Sequence, residues 1–373
     1  METKSKFSNG PECSHTPLEW AEKACEAIMA KYSPEMLPPE QRFHYHQGVF
    51  LLGMERSWKV NHKESYFNYL KAWVDSLVAA DGSIENRNSD ELDDVQAGIL
   101  LFDLYQQTGD ERYKKAVQTL VELLKTWSKN AEDGFWHKGR YPNQMWLDGL
   151  YMYGPLAVQY GSCFNQSEYF DLVVEQARLM IKHTLDRKTG LLYHGWDESK
   201  KAGWADPVTG QSPEFWGRAI GWYAVALHDI LDYLPEKHPH RKELIKNLKK
   251  LIIALLKYQD KQTGLWYQVV DKGYKEDNWL ELSCSCLYVY AIAKAVRKKY
   301  LGKRFIGFAN KAYDGIIQKL QFDENGQLQI SEICVGTGIG DYAHYIARPR
   351  TVNDLHGAGA FVLSCMEMDS LFS

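Results

Sequence analysis

Residues 145–160 read MWLDGLYMYGPLAVQY, a stretch that is apolar on nearly every side if it forms a helix. A helix of this kind has no face suited to water and is therefore buried. Its acidic residue, Asp148, lies among Trp146, Tyr151 and Tyr153. An isolated carboxylate among large apolar groups is costly unless it is paired, hydrogen-bonded or protonated. The stretch predicts a buried helix and singles out Asp148 as a residue with a special role.

Five further segments share this pattern, in which a polar or aromatic start is followed by small residues and a long apolar run. They read HYHQGVFLLGME from His44, ELDDVQAGILLFDLY from Glu91, EFWGRAIGWYAVALHDIL from Glu214, NWLELSCSCLYVYAIAKA from Asn278 and NDLHGAGAFVLSCMEM from Asn353. An amphipathic stretch, with apolar residues three and four apart, precedes each of the six segments. These amphipathic stretches cover residues 17–31, 64–79, 110–129, 167–185, 240–259 and 303–320. The chain thus predicts six pairs of an outer and an inner helix.

Turn signals followed by short β-prone stretches connect several of these helices. They read DGSIENR from residue 81, DGFWHKG from 133, TGLLYHGW from 189 and TGLWYQVV from 263. Six helical hairpins with buried inner members close most simply into an (α/α)6 barrel, an all-α toroid. No linker composition interrupts the chain. We therefore expect a single domain over residues 16–373, preceded by a flexible tail over residues 1–15.

In such a ring the inner helices all begin at the same end, so their N-termini and the preceding loops converge on one mouth. We expect this mouth to gather His44, Tyr45, Asp93, Asp94, His137, Trp146, Asp148, His194, Trp216, Arg218, Trp222, Trp279, Asn353, Asp354 and His356. Residues that are distant in the sequence would then surround one pocket.

Charge and hydropathy exclude several classes of partner. The 44 basic and 48 acidic residues give a net charge of -4 and are spread along the whole chain, which argues against a nucleic-acid partner. The longest apolar runs, such as residues 251–256, are too short to span a bilayer. Residues 1–15 contain no apolar run of signal-peptide length, which indicates a cytoplasmic protein without a membrane partner.

Nothing in the sequence indicates a metal or another cofactor. The seven cysteines, at positions 13, 25, 163, 284, 286, 334 and 365, include no Cys-x-x-Cys pair and are interpreted as reduced core thiols. His137 and His194 lack a third ligand at a recognisable spacing. The glycine-rich run CVGTGIGDY at 334–342 lacks the context of a nucleotide loop, so we interpret it as a loop at the edge of the pocket.

The residue types at the mouth suit a carbohydrate. The chain has 12 tryptophans and 23 tyrosines, and aromatic rings stack on the apolar faces of sugars as readily as they fill cores. Arg218 can grip a carboxylate through two parallel hydrogen bonds, which would suit an acidic sugar. Alternatively, Arg218 pairs with Glu214 one helical turn earlier.

Asp148 fits a general acid. Desolvation by Trp146 and repulsion from a second carboxylate would raise the pKa of Asp148 toward neutrality. Alternatively, Asp148 caps the third inner helix. Asp93 and Asp94 open the second inner helix with the same ambiguity, since one of them could cap while the other points inward. A conventional glycosidase needs two carboxylates, about 5 Å or about 6.5–9.5 Å apart, and Asp93 with Asp148 is the candidate pair.

Several of these stretches together resemble glycoside hydrolase family 105, and in particular its unsaturated rhamnogalacturonyl hydrolases. The resemblance runs from about residue 16 to the C-terminus on FHYHQGVF, DELDDVQAG, GFWHK, QMWLDGLYMYGP, YHGWDE, SPEFWGRAIGW, TGLWYQVVDKG, NWLE and TVNDLHGAGAF. It implies an (α/α)6 barrel and the hydration of the C4=C5 double bond of a terminal unsaturated galacturonic acid. By this resemblance Asp148 protonates C4 and then helps to deliver water to C5, while Asp93 holds ring hydroxyls and helps to keep Asp148 protonated.

The resemblance also implies which residues bind a small unsaturated oligosaccharide. These are His44, Tyr45, Asp93, His137, Lys138, His194, Trp216, Arg218, Trp222, Thr337 and Gly338. Arg140 departs from the family pattern next to Lys138 and leaves the downstream sugar open. Alternatives on the same toroid are an unsaturated glucuronyl hydrolase, an inverting glycosidase, a sugar 2-epimerase that uses histidines, and a non-catalytic oligosaccharide-binding protein.

Overall fold

The computed structural model describes residues 15–372 of the chain. The predicted tail, including Cys13, lies outside the described residues except for His15, and so does Ser373 at the other end. The helices are α1 (Pro17–Lys31), α2 (Tyr45–Asn61), α3 (Glu64–Asp75), α4 (Leu101–Thr108), α5 (Glu111–Lys125), α6 (Leu147–Phe164), α7 (Glu168–Thr184), α8 (Gly217–Tyr233), α9 (Arg241–Leu256), α10 (Leu282–Arg297), α11 (Ile306–Ile317), α12 (Tyr342–Ile346) and α13 (Leu355–Phe372).

The strands are all two or three residues long. They are β1 (Gln144–Trp146), β2 (Gly195–Asp197), β3 (Gln321–Phe322), β4 (Leu328–Gln329), β5 (Ile333–Cys334) and β6 (Arg350–Thr351). Single turns of 3-10 helix cover Pro34–Met36, Leu92–Asp94, Val270–Lys272 and Lys303–Phe305, and a longer one covers Gln96–Leu100.

The helices form a closed double ring. Helix α2 packs against the Gln96–Leu100 segment, which packs against α6, and the series continues through α8 and α10 to α13, which packs back against α2. Helices α1, α3, α5, α7, α9 and α11 pack on the outside of this inner ring. The predicted (α/α)6 barrel is confirmed, and each predicted outer stretch contains one outer helix.

The difference between outer and inner helices follows from their patterns. Helix α5 buries Tyr113, Ala116, Val117 and Leu120, which are three and four residues apart, and faces water on its other side. Helix α10 is buried along its whole length from Leu282 to Val296. The outer helices therefore cover the inner ring, and the inner helices supply the central core.

The second inner segment departs from the predicted continuous helix. It runs through two 3-10 turns before α4 begins at Leu101. Helix α2 approaches this segment very closely, since a side-chain carbon at Gly48 would lie 2.7 Å from the Cα of Ala97. The first of these 3-10 turns carries Asp93 and Asp94, and both are buried.

Short antiparallel pairs join the connections at the mouth of the ring. Strand β1 pairs with β2, with Trp146 opposite Gly195. The backbone N–H of Leu147 donates to the carbonyl of His194, 2.9 Å away. Strand β5 pairs with β6, which brings the two ends of the 335–349 segment together. The β1–β2 pair therefore brings His194, from a later connection, to the start of α6.

Two cavities that the described residues form lie on the inside of the ring. Met152 of α6 lines both of them, and its side chain is 2% exposed. The cavity away from the inner helix N-termini is about 320 Å³ and its polar lining includes Arg56, Asp229 and Lys294. Met152 therefore forms part of the floor between the two cavities.

Two further predictions concern the cysteines and the membrane. The six described cysteines are all free, and all are buried except Cys163, which is exposed, so the prediction of core thiols is wrong for that residue. Within residues 15–372, the helices include none with the length and apolar character needed to cross a bilayer.

Candidate active site

The inner helix N-termini surround a cavity of about 290 Å³. Most of the predicted site residues line it, although they come from five different parts of the chain. The lining residues are His44, Tyr45, His46, Asp93, His137, Lys138, Arg140, Tyr141, Trp146, Asp148, Met152, Trp216, Arg218, Gly336, Thr337, Gly338 and Arg348. Among the predicted site residues, His194 and Trp222 lie outside this lining.

Asp148 is the second residue of α6, not its cap. The helix begins at Leu147, and Trp146 holds the capping position without a side-chain hydrogen bond, so the capping alternative for Asp148 is wrong. Asp148 is 9% exposed. Its Oδ2 lies 3.0 Å from Nε2 of His194, but neither atom has an aligned hydrogen-bond partner among the described residues. A carboxylate in the first turn is also favoured by the helix dipole.

The predicted rise in the pKa of Asp148 is wrong. Burial raises this pKa, but attraction to His194 and then to His137 outweighs burial and holds the pKa below its usual value. Trp146 is close to Asp148 in the sequence, so its effect could be anticipated. His194 approaches Asp148 only because β1 pairs with β2. The free site therefore holds Asp148 as a carboxylate at neutral pH.

His194 lies behind Asp148. Its ring is fully buried, with Nδ1 2.7 Å from the hydroxyl of Tyr345. It also packs against Trp216, with the ring centres 4.6 Å apart, and edge-on against Trp146. His194 therefore does not line the cavity itself but contacts Asp148, which does. Its position suits a residue that influences the charge of that carboxylate.

Asp93 lies among Lys138 and two histidines. Its Oδ2 is 2.5 Å from Nζ of Lys138, and its Oδ1 is 3.5 Å from Nε2 of His137. Lys138 also donates to Glu91 at 3.2 Å. Burial raises the pKa of Asp93, but His137, Lys138 and His44 together lower it well below its usual value. Asp93 is an ionised acceptor on the cavity wall.

Asp94 turns away from the cavity. Its carboxylate accepts from Arg42 at 3.0 Å and from the backbone N–H of Asn88 at 2.7 Å. Burial raises the pKa of Asp94 to about 6. One of the two aspartates points inward as predicted, but Glu91 holds the helix-capping position, so neither aspartate is the cap.

Trp146 is the centre of an aromatic platform. The His137 ring stacks on it with centres 4.5 Å apart and planes 18° apart, and the Tyr141 ring stacks at 5.1 Å. The indole N–H of Trp146 donates to Gln144 at 3.1 Å. Gly149 makes room for this arrangement, because a side-chain carbon there would lie 3.3 Å from Nδ1 of His137. Such a platform suits the apolar face of a sugar ring.

Arg218 anchors the glycine-rich loop. Its two terminal nitrogens donate to the carbonyls of Cys334 at 2.5 Å and Val335 at 2.8 Å, and Glu281 lies 3.8 Å away. Its guanidinium lies 4.5 Å from the ring centre of Trp216. The alternative pairing with Glu214 is wrong, because Glu214 pairs with Lys272.

The loop edges the cavity as predicted. Gly336, Thr337 and Gly338 all line the wall. Arg348 donates to the carbonyl of Gly336 at 2.6 Å, and the Thr337 hydroxyl lies 2.9 Å from Nε2 of His344. The loop is therefore held by side chains on both of its flanks.

Besides Asp94 and His194, five residues expected at the mouth lie outside the cavity lining, namely Trp222, Trp279, Asn353, Asp354 and His356. Trp222 is one helical turn beyond Arg218, is 1% exposed, and stacks on Tyr151 deep in the ring with centres 4.6 Å apart. Trp279 lies beneath the guanidinium of Arg350. Asn353 accepts from the backbone N–H of Ile330 at 2.7 Å, so it joins two loops. Trp222 is outside the lining because it lies deeper along its inner helix. Trp279 and Asn353 are outside it because they contact residues of the loops.

Several wall and supporting residues were absent from the sequence-based site. They are His46, Tyr141, Met152, Gly336 and Arg348 in the wall, and Tyr345 and Glu281 behind it. His46 lies two residues from His44 in a segment already singled out, so its neighbourhood was a usable signal. Arg348, in the loop sequence ARPR, carries no pattern that points to a pocket.

Known proteins share this architecture along almost the whole chain. The family model described as Glycosyl Hydrolase Family 88 matches residues 20–372. A family 105 glycoside hydrolase of C. acetobutylicum ATCC 824 superposes with a TM-score of 0.90 at 35% identity, covering 94% of this chain and 99% of that one. The unsaturated rhamnogalacturonyl hydrolase YesR of Bacillus subtilis (strain 168) is 26% identical over 298 residues, which are 78% of this chain and 79% of that protein. The unsaturated glucuronyl hydrolase of Bacillus sp. GL1 shares the fold, with a TM-score of 0.70 at 14% identity over 94% of this chain and 95% of that one.

Proposed function

This chain belongs to glycosyl hydrolase family 88 and is a glycoside hydrolase, and on that premise we propose that it hydrates the C4=C5 double bond of a terminal 4,5-unsaturated galacturonic acid. The substrate is an oligosaccharide of rhamnogalacturonan that a lyase has cut. The products are a keto-uronate and a sugar that ends in rhamnose.

The observation that carries the proposal is the placement of Asp148. It lies in the wall of the cavity at the start of α6, with a carboxylate oxygen that has no aligned hydrogen-bond partner among the described residues. Asp93, the other buried carboxylate of the wall, is occupied by Lys138 and His137. A reaction that uses one carboxylate as acid and then as base suits this arrangement better than one that needs two free carboxylates.

The reaction consumes one water. Asp148, in its protonated form, gives its proton to C4, and positive charge develops at C5 and the ring oxygen. Water adds to C5 through its oxygen, and its proton returns to the Asp148 carboxylate. The hemiketal at C5 then opens to a ketone, which leaves a hemiacetal at C1, and that hemiacetal releases the next sugar as an alcohol. The sum is substrate plus water giving two products, with Asp148 regenerated.

The substrate itself helps to load the proton. Asp148 is held ionised in the free site by His194 and His137. A uronate carboxylate entering the cavity brings a negative charge and excludes water, and both changes favour the protonated acid. A second negative group beside Asp148 therefore raises its pKa at the moment when a proton is needed.

Positive charge on the loop side of the cavity suits the uronate group. Arg218 and Arg348 both line the wall there. Arg218 is already bonded to two carbonyls and faces Glu281. Arg348 makes no ion pair with another described residue, and its buried Nε has no hydrogen-bond partner among them. We assign the carboxylate chiefly to Arg348, with Arg218 as the second positive charge.

Galacturonate and glucuronate give the same unsaturated ring, so this ring does not distinguish them. Galacturonate and glucuronate differ at C4, and this centre is planar once the double bond has formed. Discrimination therefore rests on the linkage and on the next sugar. Arg140, Tyr141 and Thr337 line the same cavity and are the candidates to read that sugar. The similarity to YesR supports rhamnose at this position.

The experiment follows the disaccharide of unsaturated galacturonate and rhamnose in heavy water. Hydration removes the near-ultraviolet absorbance of the conjugated double bond and places one deuterium at C4 of the keto-uronate, which mass spectrometry detects. Ordinary glycosidic hydrolysis would release rhamnose while leaving the double bond and adding no deuterium to carbon. Release of that kind, or no turnover by folded protein on a panel of unsaturated galacturonides and glucuronides, contradicts the proposal.

A further inference from the structure

A second polar cluster lies at the seam where the inner ring closes. His46 is in the first turn of α2, and Asp354 and His356 are at the start of α13, so the cluster joins the first and last inner helices. Asp354 Oδ1 lies 2.8 Å from Nδ1 of His356 and 3.6 Å from Nε2 of His46. The three atoms all lie within 4.8 Å of one another. Neither Asp148 nor its proposed chemistry uses this cluster.

The protonation of His46 follows from its neighbour. His44 Nδ1 accepts the backbone N–H of His46 at the start of α2 and lies 2.8 Å from Nδ1 of His46. Since His44 Nδ1 is an acceptor, the proton between the two rings belongs to His46 Nδ1. The other nitrogen of neutral His46, Nε2, then presents a lone pair toward Asp354.

The same reasoning applies to His356, which is 0% exposed. Its Nε2 lies 3.1 Å from the carbonyl oxygen of Cys334, and a carbonyl can only accept, so Nε2 carries the proton. Nδ1 of neutral His356 is then a second lone pair, and it has no aligned hydrogen-bond partner among the described residues. Two imidazole lone pairs and a carboxylate oxygen thus point toward one another. Because all three carry negative or partial negative charge, a positive charge between them is needed to stabilise the arrangement.

We propose that His46 Nε2, His356 Nδ1 and Asp354 Oδ1 bind one divalent transition metal ion of the zinc class. Imidazole nitrogens with a carboxylate oxygen are a common zinc ligand set, whereas magnesium and calcium prefer oxygen ligands alone. Ligand atoms of a tetrahedral zinc site are about 3.3 Å apart, so small side-chain movements bring the three atoms to binding distance. The bonds from His356 to Cys334 and from His46 to His44 fix both rings in the orientation that metal binding needs.

The bound metal would act as a clip, a cross-link that holds α2 to α13 and supports the glycine-rich loop. It ties α2 to α13, which are adjacent in the ring but come from opposite ends of the described chain. The carbonyl of Cys334 that holds His356 also accepts from Arg218. The clip therefore supports the loop over the cavity, and His46 brings one of its ligands to the cavity wall. This inference does not depend on the reaction proposed above.

The alternative source of positive charge is a proton, which would make His356 an imidazolium paired with Asp354. Zinc binding by the full chain distinguishes the two. Chelator-treated protein is freed of chelator and titrated with Zn²⁺ alone, while bound metal is counted by elemental analysis and Tm is recorded. We expect one zinc per chain and a rise in Tm of about 3–6 °C at saturating zinc. Replacement of zinc by Co²⁺ should give the visible absorption of a tetrahedral site.

Variants locate the binding. His46→Gln and Asp354→Asn should each lose the zinc and the rise in Tm. His46 has a partly exposed side chain, so its variant is the milder change if Asp354→Asn folds poorly. The matched control is His240→Gln, which removes a partly exposed histidine that pairs with Glu243 far from the cluster. The control should bind zinc as the unaltered chain does. Failure of the unaltered chain to take up zinc, or equal uptake by His46→Gln, overturns the proposal in favour of the imidazolium pair.

Discussion

Asp148 Oδ2 lies 3.0 Å from Nε2 of His194, although 45 residues separate the two along the chain. The contact is made because β1 ends just before Asp148 and β2 begins just after His194. It sets the charge of the one carboxylate to which the proposed chemistry assigns the proton.

Replacing Asp148 tests the acid directly. Asp148→Asn keeps the shape but cannot donate a proton to C4, so we expect kcat to fall by at least about 10³-fold. Binding of the unsaturated disaccharide, measured by calorimetry, should remain within a few-fold of the unaltered protein. Asp171→Asn on the surface is the control and should keep full activity. An Asp148→Asn protein that retains a tenth of the activity would remove Asp148 from this role.

The pH dependence tests the role of His194. Its attraction lowers the pKa of Asp148, so His194→Gln should raise that pKa. Since kcat/KM follows the protonated fraction of Asp148 in the free enzyme, it falls as the pH rises through the pKa of Asp148, and we expect this fall to move to higher pH in the variant. A purely structural role for His194 would lower kcat/KM at every pH and leave the fall where it was. A shift to lower pH would contradict the electrostatic argument.

Two arginines of the same loop region provide a matched pair. Arg348 lines the cavity, whereas Arg350, two residues later, pairs with Glu332 on the outside at 2.9 Å. We expect Arg348→Ala to raise KM about tenfold or more through loss of a charge-assisted hydrogen bond to the uronate. Arg350→Ala should leave KM near that of the unaltered protein. Equal effects of the two changes would mean that the carboxylate is bound elsewhere.

The pairing of Lys138 with Asp93 should matter for stability. Lys138 is buried and is 2.5 Å from Asp93 and 3.2 Å from Glu91. Lys138→Met leaves these carboxylates with less positive charge and should cost on the order of 3 kcal/mol in the free energy of unfolding. Urea titration at pH 7 measures the loss. Lys125→Met, which alters an exposed pair with Glu122, is the comparison and should change stability by less than about 1 kcal/mol.

Stability should also fall in mild acid. Burial lowers the pKa of His44 and of His137 to about 4, whereas an unfolded histidine titrates near about 6.5. Between these values the unfolded chain binds protons that the folded chain does not, so stability is full above about pH 6.5 and is lost as the pH falls toward 4. Unfolding free energies at a series of pH values should show this slope. His44→Gln should reduce the slope, and His240→Gln should not.

The ring was predictable because it rests on local periodicity. The outer stretch predicted at 167–185 is α7 from Glu168 to Thr184, since apolar spacing of three and four residues is a property of the segment itself. The convergence of His44, Asp93 and Trp216 on one cavity then followed from ring geometry. The second inner helix was less predictable, because its 3-10 turns depend on how closely α2 packs against it.

The electrostatics of the site could not be predicted from single segments. The pKa of Asp148 depends on His194, and the partner of Arg218 is Glu281, 63 residues away. Trp222 was wrongly predicted to line the cavity. It is four residues after Arg218, which keeps it near the same helix face but places it one turn deeper in the ring. Sequence patterns locate the elements, whereas charges and depths depend on contacts between them.

Met152 forms part of the floor beneath Asp148 and also faces the opposite cavity. With the proposed function, a polysaccharide strand would have to pass Met152 to thread through the ring, so we expect only its last unit to reach Asp148. The rate on long chains should then follow the number of chain ends in solution and not the mass of polymer. Each prior cut by a lyase would create one new starting point for this protein.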